Sequence, residues 1–131
     1  MAFLVPNSGE TLVVGMIVNK TAPENLVLKL FKSNTTPAET DTAATYTEAD
    51  FTGYAAITLT GASWSVTGDT ATYAQQTFTS SANQTLQNVY GYFLVQATSG
   101  ILILAERFTD APYAISNNGD NIKITPTITA A

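Results

Sequence analysis

Cysteine and histidine are both missing from this sequence of 131 residues. Without cysteine no disulfide can staple the fold, so stability has to come from burial, backbone pairing and self-association. The two absences together remove the usual ligands for zinc, copper and iron, and also the commonest general base near neutral pH. Most familiar catalytic layouts therefore lose a member. The expectation is a protein that is not an enzyme and holds no cofactor.

Charge is also scarce. Only 11% of residues are charged, against roughly a quarter in an average soluble domain, so much of the surface has to be uncharged. The five basic residues, Lys20, Lys29, Lys32, Arg107 and Lys123, are scattered among ten acidic ones, for a net charge of −5. Such a balance repels phosphate backbones, and no direct nucleic-acid partner is expected. The opening Met-Ala-Phe-Leu-Val-Pro has no basic stretch ahead of a long apolar one. No apolar run reaches the roughly 18 residues of a membrane span, so neither export nor a membrane partner is expected, and synthesis is placed in the cytoplasm.

What the sequence has in abundance is threonine, at 22 positions. A β-branched side chain carrying a hydroxyl suits the solvated or half-buried face of a pleated sheet. The length fits one domain spanning residues 1–131. Residues 10–20 form a continuous apolar run rich in valine, read as a strand covered on both faces, with Gly15 and the β-branched residues arguing against a helix. Residues 25–32 alternate, Leu26, Leu28 and Leu30 against Val27, Lys29 and Phe31, and the short Thr-Ala-Pro-Glu-Asn connection would make the two runs antiparallel neighbours.

Residues 33–50 show neither periodicity and form the longest loop, where a contact surface is expected; Thr47 to Asp50 could begin one helical turn. Short strands then follow at 55–60, 62–66, 71–78, 88–97 and 101–108, the last two joined by the turn Thr98-Ser99-Gly100. Asn117-Asn118-Gly119-Asp120 lies between strands at 113–116 and 121–125. The total of about eight or nine strands without a convincing helix predicts an all-β fold, an antiparallel β-sandwich of jelly-roll type.

Three constellations carry candidate chemistry. Glu39, Asp41, Glu48 and Asp50 gather in the long loop, but their spacing matches no calcium loop, and a solvated acidic segment explains them. Glu106 beside Arg107 on an apolar strand reads as an ion pair or as charges guarding a sheet edge; no second carboxylate is singled out as a glycosidase partner. Trp64, Tyr90, Tyr92 and Phe93 would suit sugar stacking, yet alternation places Tyr90 and Tyr92 on one face of their strand and Phe93 on the other, so core packing accounts for much of the set. At the N-terminus, Phe3, Leu4 and Val5 form either a first core strand or an arm laid on a neighbouring subunit. With Glu39, Asp41 and Tyr46 they make up the expected partner interface.

The segments Phe51-Thr-Gly-Tyr-Ala-Ala, Ala62-Ser-Trp64, Val89-Tyr-Gly-Tyr-Phe93 and Ile101-Leu-Ile-Leu-Ala-Glu-Arg-Phe108 resemble a group of small structural proteins of tailed bacteriophages, over roughly residues 45–128. The shared features are strand and turn patterns and include no chemical signature. The resemblance implies a virion structural protein on the capsid surface, a head decoration or cement protein. Its partners would be the major capsid protein and further copies of itself, as homotrimers. A tail, neck or fibre component binding a receptor glycan is the alternative within the same class.

Overall fold

The computed structural model describes residues 3–130. Among these, eleven strands and one α-helix are present, and every pairing between strands is antiparallel. The expected all-β class is therefore what the chain adopts. The strands are β1 (Leu26–Phe31), β2 (Ile57–Leu59), β3 (Ser65–Thr67), β4 (Thr70–Thr72), β5 (Gln76–Thr79), β6 (Gln87–Val89), β7 (Gly91–Gln96), β8 (Leu102–Arg107), β9 (Tyr113–Ile115), β10 (Asn121–Ile124) and β11 (Thr127–Thr129).

The largest sheet has the order β2-β1-β7-β8. Its central strand β7 is buried at all six positions, which requires cover on both faces, and alternation divides its side chains accordingly. Tyr92 and Leu94 join the larger apolar cluster with Leu28, Leu30, Phe78, Ile115 and Ile122. Phe93 and Val95 point the other way, into a smaller cluster with Phe31, Tyr46 and Leu102. Three smaller pairings, β5 with β10, β6 with β9, and β11-β4-β3, complete the strands. The hairpin β7–β8 closes through Gly100, whose φ of 71° lies in the left-handed region that glycine enters without strain.

Residues 10–20 are not a strand. Residues 10–17 belong to a helix, α1 (Asn7–Ile17), with 18–20 in the turn that follows it, and the expected hairpin with residues 25–32 does not exist; β1 pairs instead with β2 and β7. The cause is tertiary docking that overrides weak propensity. Gly9 and Leu12 are buried on one face of α1, with Met16 packed behind them, a spacing of three and four residues that only a helix aligns. The Ser8 hydroxyl donates to the Leu102 carbonyl at 3.0 Å, tying the first turn to β8. The helix ends where Asn19 takes a φ of 59° and the amides of Lys20 and Thr21 turn back onto the Gly15 carbonyl.

Two smaller expectations also fail. The helical turn lies at Ala43–Thr45, not at 47–50, because Glu48 bridges to Phe31 in extended form. The Asn117–Asp120 turn is present, but β9 and β10 do not pair across it; they join β6 and β5 respectively.

Gly9 shows how close the helix sits. A Cβ there would run into the carbonyl oxygen of Ile103, the extra residue where the β7–β8 register shifts. Alanine for glycine in a helix normally gains about 0.5–1 kcal/mol. Here Gly9→Ala is expected to lose roughly 1–3 kcal/mol through overpacking, measured by denaturant unfolding. A gain in stability would contradict the close docking of α1 on β8.

Candidate functional site

Of the residues expected to contact a partner, most are occupied within their own chain. Leu4 exchanges two main-chain hydrogen bonds with Ala105, at 2.7 and 3.0 Å, so the N-terminal segment closes the free edge of β8 as an isolated bridge. Phe3 and Val5 pack against the larger cluster. Tyr46 is only 5% exposed; its ring stacks on Phe93 at 5.2 Å and lies 4.8 Å from Phe31. Its hydroxyl donates to the Asp41 carboxylate at 2.7 Å, and the same carboxylate oxygen accepts from the Ala38 amide at 2.8 Å. Asp41 and Tyr46 thus fix the long loop over the smaller cluster. Glu39 is exposed, with its carbonyl accepting from the Asn7 amide.

The other two carboxylates of that loop are likewise held internally. Glu48 accepts from Lys29 at 3.2 Å and from the Tyr54 hydroxyl at 2.9 Å. Asp50 accepts from Lys32 and from the Gln87 amide, both at 2.7 Å, and these bonds hold its carboxyl below the usual range. Among the described residues no group of three or more carboxylates converges in a way that would hold a metal ion. The sugar-stacking set does not converge either: Trp64 packs edge-on against Tyr73, Arg107 lies over Tyr90 at 5.1 Å, and Phe93 is in the core.

Two surface features emerge instead. The first is the outward face of α1. Val13, Val14, Ile17 and the adjoining Val18 are 46%, 61%, 78% and 60% exposed, and their spacing makes one continuous apolar stripe. It borders a groove of about 810 Å³ between α1 and β11 that Phe3, Val5 and Ile128 also line. The apolar run of residues 10–20 is the signal in the sequence, but a strand covered on both faces would bury it whole, whereas the helix leaves one side of it open.

The second feature is a cleft of about 470 Å³ where β7, β8, β9 and β10 meet, lined by Tyr92, Glu106, Phe108, Tyr113 and Lys123 among others. Phe108 and Tyr113 stack at 4.6 Å with 14° between their planes. The Tyr92 hydroxyl donates to Glu106 Oε2 at 2.8 Å. Glu106 does not pair with its neighbour Arg107, whose guanidinium donates to the Thr35 carbonyl at 3.1 Å. Phe108, Tyr113 and Lys123 were not foreseen; the one clue was an aromatic residue on each side of the turn at 109–112. No protein family, curated protein or solved structure matches the chain.

Burial raises the phenols of Tyr46, Tyr54 and Tyr92 well above the ordinary tyrosine range, with the neighbouring carboxylates of Asp41, Glu48 and Glu106 adding to the shift. A pKa raised in the folded state stabilises the protonated form, so this contribution is complete below about pH 10, the unfolded value, and is lost as pH rises beyond it. In a ring-resolved NMR titration these three phenols are expected to stay protonated until the fold itself melts in alkali. Ionisation of any of them with the amide spectrum intact would contradict their burial.

Proposed function

We propose that the protein is a structural component of a tailed-phage virion, a decoration or cement protein that seats on the major capsid protein and associates with further copies of itself, as trimers, across the junctions of the shell. The observation that supports this reading best is the uncovered apolar stripe of α1. Each valine or isoleucine taken out of water contributes roughly 1.5–3 kcal/mol. A rigid helix carries that stripe at little entropic cost on docking, because its inner face is already locked against β8 by Gly9 and Leu12. The scarcity of charge works in the same direction, since contacts made by threonine and apolar side chains desolvate no ions. Repeated over a shell, modest contacts add up, because each new one forms at high effective concentration once the first is made. The particle is proposed from the resemblance to small phage structural proteins, and the contact surface from the exposed stripe of the helix.

Two substitutions test the contact without touching the core. Val14→Lys and Ile17→Lys place cations on the exposed stripe, Ile17→Lys in the last turn, where the helix dipole favours them. Together they are expected to change unfolding stability by no more than about 0.5 kcal/mol and to lower occupancy on purified capsids by about tenfold or more, as expected for the loss of over 1.4 kcal/mol. Occupancy is read by quantitative mass spectrometry against the major capsid protein. Wild-type protein at shell-scale copy number, lost in the double variant, is the expected result. A handful of copies per particle would assign the protein to the neck, tail or fibres, and unchanged occupancy of the variant would remove α1 from the contact.

A further inference from the structure

We infer that the cleft between Glu106, Tyr113 and Lys123 is a binding site for a neutral pyranose oligosaccharide, distinct from the apolar face of α1. Its volume of about 470 Å³ falls within the range of small-molecule sites. What selects the ligand is the chemistry of the walls. Phe108 braces one face of the Tyr113 ring at 4.6 Å, while Tyr113 remains 38% exposed and lines the cleft, so a supported aromatic ring keeps part of its surface available. Aromatic rings with a negative π face attract the weakly positive C–H face of a sugar ring.

The polar groups complete the match. Glu106 uses Oε2 to accept from Tyr92 at 2.8 Å; among the described residues its Oε1 accepts no hydrogen bond, and Lys123 makes no ion pair. Among the described residues the cleft thus offers one unengaged acceptor and one unengaged donor, on separate strands. Sugar hydroxyls donate and accept alike, and a polyol can engage both groups at once. An anionic ligand would meet the Glu106 carboxylate, a cationic one the Lys123 ammonium, and a purely apolar one would leave both charges desolvated without partners. The bond from Tyr92, buried at 7% exposure, keeps the Glu106 carboxylate oriented towards the cleft, which makes Tyr92 a positioning residue.

The test is an NMR titration of the full chain with maltohexaose, cellohexaose and hexa-N-acetylchitohexaose at millimolar concentrations, with glycerol as control. At least one hexaose is expected to shift the Tyr113, Phe108 and Lys123 resonances in a saturable way. Tyr113→Ala should abolish the shifts, and Glu106→Gln, which keeps an acceptor for Tyr92 but loses the charge, should weaken binding by about tenfold. Both variants are expected to retain the wild-type amide spectrum away from the cleft, which separates loss of binding from loss of fold. Silence with all three hexaoses, shifts confined to other surfaces, equal shifts with glycerol, or binding that survives Tyr113→Ala would each overturn the proposal. None of these outcomes depends on capsid attachment through α1, so the two readings fail separately.

Discussion

Everything in this fold follows from a central strand that exposes neither face. β7 runs Gly-Tyr-Phe-Leu-Val-Gln between β1 and β8, and apolar side chains on both of its faces must be kept from water. A strand buried on both sides needs cover from two directions, and the chain supplies it unequally. One face is covered by α1 and by residues of β5, β9 and β10. The other receives the loop after β1, which contributes Tyr46 and holds it in place through Asp41. At the start of β7 the fit tolerates no side chain. A Cβ at Gly91 would collide with the Phe31 ring and the Glu106 carbonyl, so glycine there is a packing requirement imposed by the aromatic cluster.

That constraint also explains which parts of the fold were legible in the sequence. Strand residues that alternate, as in β1, or that flank an obvious turn, as in β7 and β8, could be placed because their pattern is local. The helix could not, because residues 12–18 are apolar on both sides for different reasons. Leu12 and Met16 face the core, while Val13, Val14 and Ile17 face outward. Periodicity discriminates between helix and strand only when the exposed face is polar. An exposed apolar face erases the signal, and the misreading of this segment is itself a mark of a surface that water does not suit. The turn at 117–120 failed differently: local turn chemistry was right, but it carries no information on which strands pair beyond it.

The candidate sites divide along the same line. Asp41 and Tyr46 were singled out because they lie in a long, polar, aperiodic loop, and loops carry function more often than cores do. In this chain the loop is a cover for the sheet, and its one aromatic is spent on packing. The cleft went unread because its members come from residues 92, 106, 108, 113 and 123. Tyr113 and Lys123 reach it through the pairings of β6 with β9 and β5 with β10, which link segments far apart in sequence. Glu106 is oriented by Tyr92 across the β7–β8 hairpin and not by the adjacent arginine.

Phe3 lies at the junction of the two surfaces, lining both the cleft and the groove beside α1. It is held there by Leu4, whose two bonds to Ala105 make the N-terminal segment part of the sheet. The N-terminal segment thus borders both surfaces. That segment is hydrogen-bonded to β8 through Leu4 and packed on the core through Phe3 and Val5, so both surfaces are built on the same sheet. The proposed attachment and the proposed recognition would use different parts of one molecule, the apolar stripe of α1 and the cleft lined by Tyr92, Glu106, Tyr113 and Lys123.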